Sequence, residues 1–166
     1  MLTINSETIA KSFSMAECID VMEEMYRNEG SESSSKSNRA VFRTGENSVV
    51  LVMPGYSSHL ERIAVKIVTE YKDNPRKYSL PVQGGSTLLV NSENSENLAI
   101  LESSSVTAIR TGAVSGLATR LLSRSDSETV GAIGTGHQAR SMLEAVLTVR
   151  KGIDSVRVYS RNQDNV

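Results

Sequence analysis

Apolar positions recur along the chain in two rhythms, and each change of rhythm marks an element. From residue 14 the spacing is helical, with Ile19, Met22, Met25 and Tyr26 on one face. Ser14, followed three residues later by Glu17, is a capping box that opens this helix, and Gly30 stands where a C-terminal cap belongs. The polar, serine-rich stretch 31–38 reads as a loop. Strand-like runs follow. Arg39–Thr44 and Ser48–Met53 flank Gly45-Glu46-Asn47, a hairpin turn, and Arg62–Thr69 is nearly continuous β-branched apolar sequence. Thr87–Val90 and Leu98–Leu101 flank the polar connection 91–97, which reads as a second hairpin. Residues 39–101 therefore predict an antiparallel or mixed sheet.

The helical rhythm returns over Ser105–Leu122 through Val106, Ile109, Ala113, Leu117 and Leu121. Gly112, Ser115, Gly116 and Ala118 in this helix are small, so another backbone or a ligand could approach it closely. After a break at 123–126, Thr129–Ile133 reads as a short buried strand and His137–Val149 as a helix. Ser155–Tyr159 reads as another strand. Strand, helix and strand in this order predict a βαβ unit with a parallel pair.

The turn inside that unit carries candidate chemistry. Gly134-Thr135-Gly136-His137-Gln138-Ala139 is a Gly-x-Gly-x-x-Ala fingerprint, with a strand before it and a helix after. Gly134 permits the tight turn, Gly136 lets backbone approach a pyrophosphate, and Ala139 lets helix and strand pack closely. The anion would sit at the helix N-terminus. The ribose-recognition position falls about 20 residues further on, at Tyr159-Ser160-Arg161, where no acid stands to accept from a ribose 2′-hydroxyl. Arg161 either pairs with a 2′-phosphate, which leans the reading toward NADP(H), or is a solvated arginine.

Four cations stand out against their surroundings. Lys66 lies in the apolar run Ile63–Val68, where a lysine must snorkel at a sheet edge or meet an anion. Arg110 lies among small residues, suited to carboxylate or phosphate recognition or to a surface salt bridge. Arg39 and Arg43 open the first strand on one face, and spacing does not choose between them. His59 and His137 are isolated, so no metal site is expected.

Composition narrows the classes. With 18 Lys plus Arg against 19 Asp plus Glu, the net charge of −1 argues against nucleic acid as a partner. The single cysteine, Cys18, excludes an internal disulfide framework and a cysteine-based zinc site. No apolar run reaches the roughly 18 residues of a membrane span, and the N-terminus lacks the pattern of a signal peptide, so a cytoplasmic location is expected.

Four stretches, in order, resemble the ornithine cyclodeaminase, mu-crystallin and archaeal alanine dehydrogenase family. They are Val52-Met53-Pro54-Gly55-Tyr56, Val65-Lys66-Ile67-Val68-Thr69, Thr107-Ala108-Ile109-Arg110-Thr111-Gly112-Ala113 and Ile133-Gly134-Thr135-Gly136-His137-Gln138-Ala139. The resemblance implies an α/β chain of two domains. A mixed-sheet α+β domain for substrate binding and dimerisation, with its linking helix, would cover 1–122, and the first βαβ unit of a Rossmann domain would cover 123–166. It implies that Arg39 (with Arg43 as the fallback), Lys66 and Arg110 bind the carboxylate substrate. It implies cofactor contacts at Ser86, Arg110, Thr111, Gly134, Thr135, Gly136, His137, Gln138, Ala139, Ser160 and Arg161. The cofactor would be NAD or NADP, the assembly a homodimer, and the activity conversion of ornithine to proline plus ammonia. A cyclic-imine (pyrroline-2-carboxylate) reductase, an amino-acid dehydrogenase and a non-catalytic binding protein are the alternatives. Family members run longer, and their catalytic aspartate would lie beyond Val166. Asp164 falls in the wrong element to replace it, so the chain reads as an N-terminal fragment with little activity of its own.

Overall fold

A computed structural model describes residues 1–28, 35–36 and 38–162. Gly30 and most of the serine-rich stretch lie outside the described residues. The chain divides into two compact units by its contacts rather than by chain order. The first is Met1–Ala10 with Asn28–Val106, the second Lys11–Arg27 with Thr107–Val166.

The first unit is built on a mixed sheet. Its strands are β1 (Leu2–Ile4), β2 (Ser35–Lys36), β3 (Ala40–Gly45), β4 (Ser48–Ser57), β5 (Arg62–Tyr71), β6 (Gln83–Asn91) and β7 (Asn97–Glu102). Their order is β1-β7-β6-β5-β4-β2, with β3 also on β4. β1 and β7 are parallel, and the other pairs are antiparallel. Both expected hairpins form. Gly45 pairs with Ser48 across the first turn. In the second, the side chains of Asn91 and Asn94 accept from the backbone N–H of Glu93 (2.8 Å) and Glu96 (3.0 Å). These are the local turns that make asparagine a loop residue. Ser35–Lys36, expected as loop, forms a short strand against Tyr56 and Gly55.

Two helices of this unit carry no strong periodic signal. α1 (Ser6–Ser12) begins where Asn5 Oδ1 accepts from Thr8 N–H at 2.9 Å, and it buries Ile9. α3 (Asn74–Tyr78) connects β5 to β6, with Pro75 in its first turn and Ser79 left-handed at its end. Strand β6 begins four residues earlier than the hydrophobic pattern predicts, because Gly84 and Gly85 belong to it. At Gly85 the backbone has φ +146, and a Cβ would lie 2.1 Å from the Ile67 carbonyl oxygen. Only glycine allows β5 and β6 to approach so closely there.

The second unit packs α2 (Met15–Asn28), the length of α4 (Ser103–Leu122) from Thr107 onward, and α5 (Ala139–Val149). The capping box holds: Glu17 accepts from the backbone N–H of Ser14 (2.8 Å) and Ser14 Oγ from that of Glu17 (3.2 Å). Met15, Ile19, Ala113, Leu117 and Ala145 form the buried cluster, flanked by Cys18, Met22, Ile109 and Val149. The small residues of α4 admit helices. A Cβ on Gly112 would stand 2.5 Å from the Ser141 carbonyl oxygen, and one on Gly116 would stand 2.7 Å from Ile19 Cδ1. Arg150 closes the end of α4. Its guanidinium donates to the carbonyls of Thr119, Arg120 and Ser123, each at 3.0 Å. Arg120 pairs with Asp20 at 2.8 Å and with Glu23, which also binds Arg27. β8 (Thr129–Ile133) and β9 (Ser155–Tyr159) run parallel around α5, the expected βαβ unit.

Candidate functional site

The first group of candidate residues is organised by the register of the sheet. Lys66 pairs with Met53 on β4 and with Thr87 on β6. Thr87 pairs in turn with Leu101 on β7. Ala40 pairs with Val52, so Arg39, the residue before it, falls in line with Met53. One row therefore crosses the sheet through Arg39, Met53, Lys66 and Thr87. At about 4.8 Å per strand, the backbones of Arg39 and Lys66 stand about 10 Å apart, within reach of two long cationic side chains converging on one small anion. Arg43 pairs with Val49, whose other neighbour is Glu70. That places Arg43 four residues along from the Lys66 row, about 13 Å at strand rise, in a row that already holds an acid.

β5 lies inside the sheet, with a neighbour on each side, so Lys66 is not on an edge strand. It is half-buried in the middle of the strand. Arg39 is exposed, and among the described residues no acid pairs with it. Ser86 is placed differently. It pairs with Ile67 and Glu102, on the face opposite Lys66, and it is exposed. The hydroxyl residue on the Lys66 face is Thr87.

The second group lies in the second unit, around the glycine turn. Gly134 has φ +102 and donates its N–H to the Tyr159 carbonyl at 2.7 Å, which ties the turn to the end of β9. Thr135 donates its hydroxyl to Ser160 Oγ at 3.1 Å, and Ser160 is buried. His137 and Gln138 precede the helix, which starts at Ala139 rather than at His137. No neighbour explains the glycine at 136: a Cβ there would meet nothing within 4 Å. The space beside it is open, as a ligand lying against that backbone requires.

Two further observations fit a bound cofactor. Gln138 Oε1 and Thr111 Oγ1 are buried and have no hydrogen-bond partner among the described residues. A buried polar atom without a partner costs about 1–3 kcal/mol, so both atoms are available to a ligand or a water. The first turn of α5 holds no acidic side chain to occupy the positive end of the helix. The close contact of Gly112 with Ser141 brings the Thr111 stretch of α4 to this same turn of α5. Arg110, one residue earlier, is exposed and has no ion pair or hydrogen bond among the described residues, so the salt-bridge reading is not the one realised. Arg161 is exposed at the end of β9. A shallow recess of about 450 Å³ runs along α5 between Arg140 and Lys151, and neither Thr111 nor Gln138 lines it.

The chain has counterparts among known proteins. The profile of the Ornithine cyclodeaminase/mu-crystallin family matches residues 1–166. The chain belongs to this family. A Delta(1)-pyrroline-2-carboxylate reductase of Bacillus cereus is 40% identical over 119 residues, 72% of this chain and 36% of that protein. The Thermococcus litoralis Delta(1)-pyrroline-2-carboxylate reductase, solved with NADH and L-proline, superposes with a TM-score of 0.91 at 37% identity. That match covers 99% of this chain and 51% of the other. An archaeal alanine dehydrogenase dimer with bound NAD superposes at 0.90 and 27% identity, over 99% of this chain and 50% of that one. The chain thus spans about half the length or less of these family members. The α/β fold expected from the sequence is the family's fold.

Sequence reasoning gave no role to the start of α4. Glu102 accepts from the backbone N–H groups of Ser104 (2.6 Å) and Ser105 (2.8 Å), capping the helix. Burial pushes its carboxyl up, but the hydrogen bonds from Ser105 and Ser104 outweigh this and hold it below the ordinary glutamate value. Ser103, fully buried, shares a 2.7 Å hydrogen bond with Thr87. A serine run at a helix start was the visible signal, and only the register links it to Lys66.

Proposed function

We propose that the protein carrying this chain reduces a cyclic imino acid of the pyrroline-2-carboxylate type with a reduced nicotinamide cofactor. The observation that carries the reading is the row of Arg39, Lys66 and Thr87 on one sheet face, in a chain whose 40%-identical relative is a Delta(1)-pyrroline-2-carboxylate reductase. Ornithine cyclisation, the leading expectation from the sequence, gives way to this alternative because both the curated relative and the 37%-identical structure are reductases.

In this reading Arg39 and Lys66 hold the substrate carboxylate from the sheet, and Arg110, on the second unit, is a further cation for an anionic group of substrate or cofactor. Charge-assisted bonds from fixed donors orient the C=N carbon for attack. The glycine turn, with Thr111 and Gln138, holds the cofactor, which when bound supplies the hydride. The hydride goes to the imine carbon and a proton to the imine nitrogen, giving the saturated amino acid and the oxidised cofactor.

The sheet also supports a homodimer. Phe42, Tyr56 and Ile67 are exposed on the face opposite Lys66, an apolar patch of the kind that marks an interface. No helix among the described residues is long and apolar enough to cross a membrane.

The test is turnover. Pyrroline-2-carboxylate should discharge NADH or NADPH absorbance in the presence of the protein, and L-ornithine should release no ammonia. Ammonia release from ornithine without net cofactor consumption would restore the cyclodeaminase reading. Failure with every cyclic imino acid, while cofactor binds, would sink the reductase reading.

The cofactor preference is NADP(H), carried by Arg161 and the lack of an acid at the end of β9. Ser160→Asp should place a carboxylate there, still within reach of the Thr135 hydroxyl. It would repel a 2′-phosphate and accept from ribose hydroxyls. The ratio of NADH to NADPH affinity should rise about ten-fold, about 1.4 kcal/mol, as read by fluorescence titration of both cofactors. An unchanged ratio would show that the ribose is read elsewhere.

A further inference from the structure

We infer that Thr87 is a second substrate-binding residue, whose hydroxyl hydrogen-bonds the carboxylate held by Lys66; this rests on reading the Lys66 face as the substrate face. Thr87 is the cross-strand neighbour of Lys66 on β6, so the two side chains leave the same face from adjacent strands. Their Cβ atoms stand about 5 Å apart by cross-strand geometry. The rest of this stretch, Leu88-Leu89-Val90, is aliphatic. A valine at 87 would suit the strand equally well, so the hydroxyl is kept for the hydrogen bonds it makes.

The hydroxyl is held rather than merely tolerated. Thr87 Oγ1 lies 2.7 Å from Ser103 Oγ, and Ser103 is 1% exposed. Ser103 is the first residue of α4, whose opening turn is capped by Glu102. The anchor is therefore part of a closed helix start and not a mobile surface group. One hydrogen bond between two hydroxyls uses one of their two protons. When Ser103 donates, the Thr87 proton is left to point outward. Thr87 has no other hydrogen bond among the described residues, and the residue is half-buried on the Lys66 face.

The chemistry of the two groups is complementary. An ammonium on a four-carbon stem is a point charge with three rotatable donors and imposes little direction. A hydroxyl fixed by a buried partner supplies direction without charge. Together they hold one carboxylate at two points, which sets the rotation of the ring attached to it. The ligand class is a small carboxylate with its nitrogen on the adjacent carbon, and L-proline is the probe.

The experiment titrates L-proline into the isotope-labelled chain, following the backbone amide signals of β5 and β6. Four versions are compared: unchanged, Thr87→Val, Thr87→Ser and Lys66→Met. Thr87→Val should raise the dissociation constant about ten-fold, and Thr87→Ser should stay within about two-fold of the unchanged chain. Melting temperatures are recorded alongside. A merely structural hydroxyl would lower the melting temperature of Thr87→Val and leave proline binding intact, which overturns the proposal. Weaker binding in Lys66→Met with none lost in Thr87→Val overturns it alone. If proline moves no signal on β5 and β6 of the unchanged chain, the substrate-face reading falls and this inference falls with it.

Discussion

Gly85→Ala is expected to remove about 2–6 kcal/mol of folding stability. Two independent terms add. The backbone at Gly85 has φ +146, a region that residues with a Cβ rarely adopt, and holding one there costs about 1–3 kcal/mol. The added Cβ would also stand 2.1 Å from the Ile67 carbonyl oxygen and 3.0 Å from Val68 Cα. Those atoms are backbone, so no side chain can swing aside. Overpacking of this kind costs about 1–3 kcal/mol even where neighbours give a little. Relief requires β5 and β6 to part beside Val68, two residues from Lys66. Chemical denaturation should show the loss as a lower midpoint. Gly136→Ala is the control, because its Cβ would meet nothing within 4 Å. That variant should unfold almost as the unchanged chain does and lose cofactor affinity instead. A Gly85→Ala protein within 1 kcal/mol of the original would falsify the close-approach account.

These two glycines show which parts of the structure were legible in the sequence. Gly136 belongs to a local pattern of strand, turn and helix, and the βαβ unit it predicts is present between Thr129 and Tyr159. The two hairpins were legible for the same reason, since their turn chemistry lies within a few residues. Gly85 was different. Locally it reads as a break, so the predicted strand started at Thr87, but its cause is the approach of a strand 18 residues away. Ser86 and Thr87 could not be told apart without the register, because a shift of one residue moves a side chain to the other face. Lys66 was visible as an anomaly in an apolar run. That its strand is internal is a property of the sheet order and not of the run itself. Helix α2 was predicted correctly as an element. Its place in the second unit, with residues nearly a hundred positions later, follows from the burial of Ile19 against α4 and α5. α1 and α3 are too short for a periodic signal to separate them from loop.

If the proposed reduction is this protein's reaction, Arg110→Ala is expected to cost about 1.5–3 kcal/mol of transition-state binding, the usual worth of a hydrogen bond to a charged group. That is a fall in kcat/KM of about ten- to more than a hundred-fold. The structure makes this a clean measurement. Arg110 is exposed on α4 and makes no ion pair or hydrogen bond among the described residues. Its removal breaks no internal contact, and alanine is at least as good a helix former as arginine. The melting temperature should therefore stay where it was while activity falls. Contrast Arg150, whose guanidinium binds three carbonyls at the end of α4 and whose loss would be felt in stability. The sequence presents both as arginines beside helices, and only their partners distinguish them. An arginine kept without a partner, one residue from the orphaned buried hydroxyl of Thr111, is placed for an anion that arrives with substrate or cofactor. If the loss appears in KM for the imino acid, Arg110 serves the carboxylate. If it appears in the affinity for NADPH, it serves the cofactor phosphates. Unchanged kcat and KM for both would remove it from the site.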